Sequence, residues 1–183
     1  MLPFPDKKYQ IIYADPPWYY KNYANQTASR WVGNQYFLMS EQDICNLPIN
    51  NIAADNCILF LWITAPQFET AFKVINAWGF KYKTLGFCWV KKNKKKDSFF
   101  WGMGYWTRSN VELCLIAVKG RPKRINTSIH QIVYSPIEKH SKKPDIVRDK
   151  IVKLVGDLPR IELFAREWHF GWDAWGDEIK EKD

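Results

Sequence analysis

The first apolar run, Tyr9-Gln10-Ile11-Ile12-Tyr13-Ala14, is short, rich in β-branched and aromatic side chains, and ends just before two prolines. Proline has no N–H to give a sheet ladder, so the pattern predicts a buried strand that gives way to a loop. Ser40-Glu41-Gln42-Asp43 sets a carboxylate three residues after a hydroxyl, a capping-box spacing that predicts a short helix reaching Leu47-Pro48. Cys57 to Ile63 is apolar without a break, as expected of a strand covered on both faces of a largely parallel sheet. After Pro66, Phe68, Ala71, Phe72 and Ile75 fall at helical spacing, and Gly79 stands where that helix can stop.

The alternation continues. Strands are expected at Thr84 to Val90 and Val111 to Val118, with a long irregular segment, Lys91 to Asn110, between them. A shorter apolar piece, Gln131 to Tyr134, leads to Pro144, which suits the first turn of a helix that carries Val147, Ile151 and Leu154 inward and ends at Gly156. A last strand, Ile161 to Ala165, precedes a tryptophan-rich, acidic tail. Strands and helices of these lengths in alternation predict a doubly wound α/β sheet without repeats or linkers.

Composition narrows this picture. A chain of 183 residues with 46% hydrophobic content suits one domain rather than two cores. No run approaches the roughly 18 apolar residues of a membrane span, and Met1 to Gln10 lacks the apolar centre of a signal peptide, so a soluble, cytoplasmic protein is expected. Cys45, Cys57, Cys88 and Cys114 contain no C-x-x-C pair, which argues against a zinc knuckle or a disulfide framework; they read as small reduced core residues, and no metal is required. The net charge of +8 favours a polyanionic partner through counterion release, although charge alone does not identify one. Ten tryptophans exceed what a core of this size needs, so some rings are expected to face a ligand, for which flat bases are natural partners.

In open α/β sheets ligands bind at the carboxyl ends of the strands. Three unusual groups can reach that rim: Asp15-Pro16-Pro17-Trp18 after the first strand, Arg166 to Trp172 after the last, and Lys143-Pro144-Asp145 at the start of a helix. An exocyclic amine of adenine is a poor nucleophile because its lone pair is delocalised into the ring. A carboxylate and a rigidly aimed carbonyl can each accept one N–H and favour the pyramidal nitrogen. Asp15 and the Pro16 carbonyl fit that task, the prolines fixing φ and lacking a competing N–H of their own, while Trp18 can stack on the base. The plain alternative is an Asp-Pro turn with a packing tryptophan.

These residues, together with Leu59-Phe60-Leu61-Trp62-Ile63-Thr64, Gly104-Tyr105-Trp106-Thr107-Arg108-Ser109-Asn110, His140-Ser141-Lys142-Lys143-Pro144-Asp145 and Glu162-Leu163-Phe164-Ala165-Arg166, resemble in kind and order the adenine-N6 methyltransferases related to the messenger-RNA 6-methyladenine writer, small bacterial and phage members included. The resemblance implies a single-domain, Rossmann-like α/β methyltransferase spanning residues 1–183 in a permuted order, catalytic motif first. It implies S-adenosylmethionine as cofactor and nucleic acid as partner, DNA favoured, with RNA or a catalytically silent partner subunit as alternatives. On the matching positions, Lys143 contacts the cofactor's carboxylate, Glu162 and Arg166 line its ribose and amino-acid moiety, and Tyr36 accompanies the target base; the plain alternatives are a solvated lysine, a strand-end ion pair and a packing tyrosine. Asp177 and Glu178 stand where relatives carry Asn followed by Gln or Glu, so here carboxylates accept from the ribose hydroxyls. His169 falls near a His-Asn pair of the writer subunit and is a candidate cofactor contact or a structural histidine.

Lys91, Lys92, Lys94, Lys95 and Lys96 precede Phe99, Phe100, Trp101, Tyr105 and Trp106 in one segment. Cations that track phosphates beside rings that stack on bases suit a strand-binding loop, with Lys94, Lys95, Trp106 and Arg108 as candidate substrate contacts. Oligomeric state is not determined by the sequence.

Overall fold

The computed structural model describes residues 3–19, 38–104, 106–138 and 142–179. Seven strands form one sheet: β1 (Tyr9–Ala14), β2 (Ala53–Ile63), β3 (Lys81–Lys92), β4 (Val111–Lys119), β5 (Ile132–Pro136), β6 (Arg160–Leu163) and β7 (Asp173–Trp175), in the order β5-β3-β4-β2-β1-β6-β7. Every neighbouring pair is parallel except the two made by β4, which runs antiparallel to both β2 and β3. The helices are α1 (Glu41–Cys45), α2 (Ile49–Ile52), α3 (Phe68–Ala77) and α4 (Ile146–Val155).

The unbroken apolar run of β2 is explained by its place in the sheet. Leu59, Leu61 and Ile63 pack on one face with Ala71, Val74 and Ile75 of α3, whereas Ile58, Phe60 and Trp62 pack on the other with Val147, Ile151 and Val155 of α4. Alternate residues of one strand thus enter two cores, and each fully buried Leu or Ile contributes about 1.5–3 kcal/mol. Local chemistry sets the helix limits. Ser40 Oγ accepts the Asp43 N–H at 3.1 Å while Asp43 Oδ2 accepts the Ser40 N–H at 3.3 Å, completing the capping box. Gly79 and Gly156 follow α3 and α4 with φ of 81° and 100°, conformations in which a side chain is strained.

Three expectations change. Leu154 is only half-buried, and the inward positions of α4 are Val147, Arg148, Ile151 and Val155. The Trp-rich tail contains β7, too short for its alternation to be read. The segment from Lys91 to Asn110 is less irregular than expected: β3 continues to Lys92, the chain turns through Asn93 to Ser98, and Phe99 bridges back to Lys92.

Candidate active site

β1 delivers Asp15 to the rim where the carboxyl ends of β1, β2, β6 and β7 lie together. Because β4 is reversed, its first residues come to that same rim and bring Glu112. The segment before α4 supplies Lys143, whose Nζ lies 2.5 Å from Asp15 Oδ2 and 3.2 Å from Glu112 Oε2 with the side chain 9% exposed. Glu112 also pairs with Lys91, so acidic and basic groups alternate from Asp15 through Lys143 and Glu112 to Lys91. The Trp62 ring closes one side of the ammonium, 5.7 Å from its nitrogen.

Burial lifts the Asp15 carboxyl above its ordinary 3.8, Lys143 and Arg166 oppose the rise, and Glu112 adds to it. Burial acts the same way on Glu112, but there Lys143 and Lys91 outweigh it and the carboxyl stays below its ordinary value. Burial alone would discharge Lys143; the two carboxylates beside it more than compensate and hold it protonated. The outcome is an aspartate with a raised proton affinity, fixed by a cation that remains charged. Lys143, expected at the cofactor's carboxylate, joins Asp15 to Glu112.

The turn after Asp15 also differs from expectation. The Trp18 N–H donates to the Pro16 carbonyl at 2.8 Å, and the Met39 N–H to the Pro17 carbonyl at 3.0 Å. The prolines add no donor, but the chain folds back and supplies one, leaving each carbonyl its second lone pair. Trp18 is 5% exposed, and its indole N–H donates to the Trp62 carbonyl at 3.1 Å. A ring so enclosed is no open stacking platform; it pins the turn to β2.

Glu162, expected at the ribose, is held by Arg148: its two oxygens receive Nε at 2.6 Å and Nη2 at 2.7 Å. The Arg148 guanidinium also lies 5.6 Å from the Tyr13 ring, and the Tyr13 hydroxyl accepts the Trp62 indole N–H at 2.6 Å. This buried network ties α4 to β6, β1 and β2. Beyond β6, Phe164 takes a left-handed φ of 59°, a strain of about 1–3 kcal/mol in a non-glycine residue, and the Ala165 N–H then bonds the Trp175 carbonyl at 3.0 Å. The turn brings Arg166 to the rim, with its Nε 3.5 Å from Glu178 Oε1; Asp177 and Glu178 lie exposed after β7.

His169 Nε2 is 3.7 Å from Glu167 and near Asp145. Those two carboxylates already share Lys142, at 3.4 and 2.9 Å, so their charge is met by an ammonium of the chain. Lys94, Lys95 and Lys96 are exposed, Trp106 is 93% exposed and Arg108 stacks 4.9 Å from the Trp101 ring centre. The other two lysines of the run are engaged within the fold, Lys91 by Glu112 and Lys92 by Asp97, which reduces the five-lysine surface to three. Tyr36 lies outside the described residues.

Sequence reasoning missed Glu112 and Arg148. Each had a signal, a lone charge inside the apolar strand Val111 to Val118 and an arginine one residue after an inward-facing valine of a helix, because charges are buried only when paired.

An Asp-Pro-Pro-Trp turn at a strand end, with cationic and carboxylate groups beyond the adjacent strands, defines an α/β enzyme of the amino-methyltransferase class. The chain belongs to the MT-A70 family of adenine-N6 methyltransferases, whose model matches residues 9–178. It is similar to the type II methyltransferase M.MunI of Mycoplasma sp, 34% identical over 192 residues, covering 96% of this chain and 79% of that protein. It is 27% identical to the N(6)-adenosine-methyltransferase catalytic subunit METTL3 of Homo sapiens and 26% to an MT-A70-like N(6)-adenosine-methyltransferase of Arabidopsis thaliana, spanning only 28% and 23% of their lengths. Membership of the family implies S-adenosylmethionine as cofactor. The donor set fits it: a partly exposed guanidinium at Arg166 suits its carboxylate, and the Asp177 and Glu178 carboxylates suit ribose hydroxyls on the same rim.

Proposed function

We propose that this chain transfers a methyl group from S-adenosylmethionine to the N6 amine of adenine in DNA. The observation that carries the reading is Asp15, partly buried at a strand end and clamped by Lys143, beside a turn in which the Pro16 carbonyl accepts the Trp18 N–H. Asp15 Oδ2 is engaged by Lys143, which leaves Oδ1 to accept one N6–H. The second lone pair of the Pro16 carbonyl accepts the other. Two fixed acceptors hold the amine with its lone pair out of the ring plane, and no reorganisation is needed as charge develops on nitrogen. The raised proton affinity of Asp15 suits it to hold the proton that nitrogen gives up. Trp18, Lys143 and Glu162 are positioning residues in this account. The cofactor, when bound, supplies an electrophilic methyl group on a sulfonium; Arg166 pairs with its carboxylate and Asp177 and Glu178 accept from its ribose. His169 is not assigned to it.

Several finer points belong to the same proposal. The tetrad follows the first strand and the cofactor groups follow the last two, which supports a permuted, Rossmann-like order in one methyltransferase domain. Similarity to a bacterial type II methyltransferase supports DNA as substrate and the bacterial or phage-infected cytoplasm as location. Among the described residues no helix is long and apolar enough to cross a membrane. The exposed lysines and rings before β4 supply the nucleic-acid surface. Incubation with methyl-labelled S-adenosylmethionine and separate DNA and RNA oligonucleotides, followed by digestion to nucleosides, tests the reading. Label in 6-methyladenine from DNA is expected; label from RNA alone would transfer the assignment to RNA, and label in neither would overturn it.

A further inference from the structure

The segment between β3 and β4 leaves and rejoins the sheet at the Asp15 rim, since Lys91 and Glu112 lie at its two feet and pair with each other. Within it stands Gly102-Met103-Gly104. The Gly104 N–H closes on the Gly102 carbonyl at 3.1 Å, so Met103 occupies the apex of a tight turn. A Cβ at Gly102 would stand 1.8 Å from the Ser109 carbonyl oxygen, and one at Gly104 1.8 Å from that of Thr107. Only glycine lets the two limbs approach this closely, and the approach stiffens the turn. What the turn presents to solvent is apolar: Met103 is 83% exposed, Trp101 70% and Trp106 93%. Large apolar side chains exposed together in one segment are a mark of surfaces that meet a partner.

Its surroundings identify the occupant. Arg108 stacks on Trp101, the next turn carries exposed Lys94, Lys95 and Lys96, and the chain's net charge is +8. An apolar point set among cations matches a stacked, polyanionic duplex: phosphates meet the lysines while the point enters between bases. An adenine within a duplex reaches Asp15 only after it is extruded, and the gap it leaves must be filled or the helix recloses.

We infer that Met103, held between Gly102 and Gly104 and flanked by Trp101 and Trp106, is a wedge that enters double-stranded DNA and fills the space vacated by the target adenine. The inference rests on the reading of the chain as a DNA adenine methyltransferase and deepens it by naming the duplex as the form that the site opens. The wedge lowers the cost of extrusion and leaves the chemistry at Asp15 alone. Its loss therefore falls on paired targets more than on unpaired ones.

The test compares Met103→Ala with the parent protein on three oligonucleotides of one sequence: a duplex, the same duplex with a mismatch opposite the target adenine, and the single strand. The ratio of duplex to single-strand methylation rate is expected to fall about tenfold, the equivalent of 1.4 kcal/mol, with the mismatch recovering most of the loss and Met103→Leu retaining the parent ratio. With 2-aminopurine at the target position, the fluorescence rise on binding should weaken in Met103→Ala. An unchanged ratio, or equal loss on all three oligonucleotides, would overturn the wedge while leaving the enzyme's assignment intact. Sedimentation in which Met103→Ala converts a dimer to a monomer would overturn it too, by giving the patch to a second copy of the chain. Absence of DNA methylation by the parent protein would remove the functional reading on which the wedge depends.

Discussion

Around Asp15 the side chains of Asp15, Glu112 and Lys143 are 29%, 12% and 9% exposed and compensate one another, whereas at the other end of the rim Arg166 is 33% and Glu178 55% exposed, and their pairing is a long 3.5 Å. The first group is packed closely by the fold; the second is paired more loosely and is more exposed. The difference suits the two tasks proposed for them. An amine must be met by acceptors already in place, because any reorganisation adds to the barrier. A diffusible cofactor with a carboxylate and hydroxyls of its own can complete an open set of charges as it binds.

The sharpest way to break this comparison is Asp15→Ala. The rate of methyl incorporation should fall by on the order of a thousandfold, as for loss of a preorganised group at a reacting centre, while cofactor affinity by calorimetry changes little. Substantial remaining activity would mean that the buried half is structural only.

Lys143→Met tests whether the buried half is a unit. Two carboxylates then face each other without a cation in low dielectric, and unfolding by urea should show a loss of about 3 kcal/mol. A loss within the noise of a surface substitution would show that the chain of charges is not coupled.

The acid limb of activity sharpens the same point. Asp15 must be ionised to accept an N–H, and its carboxyl is raised, so kcat should fall at a pH above the ordinary aspartate range. Glu112→Gln removes a neighbouring negative charge and should move that limb to lower pH; movement upward or none would contradict the electrostatic account. The linked stability has opposite signs at the two sites. Ionising Asp15 costs the fold stability as pH rises from 3.8 through its raised value. The stability contributed by Glu112 is present above its ordinary 4.5 and is lost as pH falls through its lowered one.

At the open half, Arg166→Ala should raise the KM for S-adenosylmethionine about tenfold, the loss of one charge-assisted bond, with thermal stability almost unchanged. A large drop in stability would make Arg166 part of the assembled half. The smallest effect is expected from Lys94→Ala with Lys95→Ala. DNA binding measured across salt concentrations should lose about 0.9 from the log–log slope per phosphate contact removed, with kcat little affected.

Local pattern sufficed to identify β1, the capping box before α1, the amphipathic α3 and the strand-end tetrad, because each depends on neighbours within a few residues. The family motifs carried the functional class and pointed to a shared rim without its contacts. The direction of β4 was invisible to pattern, since a central strand buried on both faces reads the same in either direction. That direction brings Glu112 to the Asp15 rim and gives Lys143 its second carboxylate. The partners that Trp18, Lys143 and Glu162 find in the fold were equally out of reach. A tryptophan stacks or packs, and a lysine binds ligand or protein, according to what lies within hydrogen-bond reach, and those partners come from positions as distant as 44 and 128 residues along the chain. The sequence by itself determined the family motifs, the main strands and helices, and the strand end at which the Asp15 tetrad falls. Only the tertiary structure decided which charges are packed closely together and which stay more exposed, because pairing is a matter of distance and burial and both are set by packing.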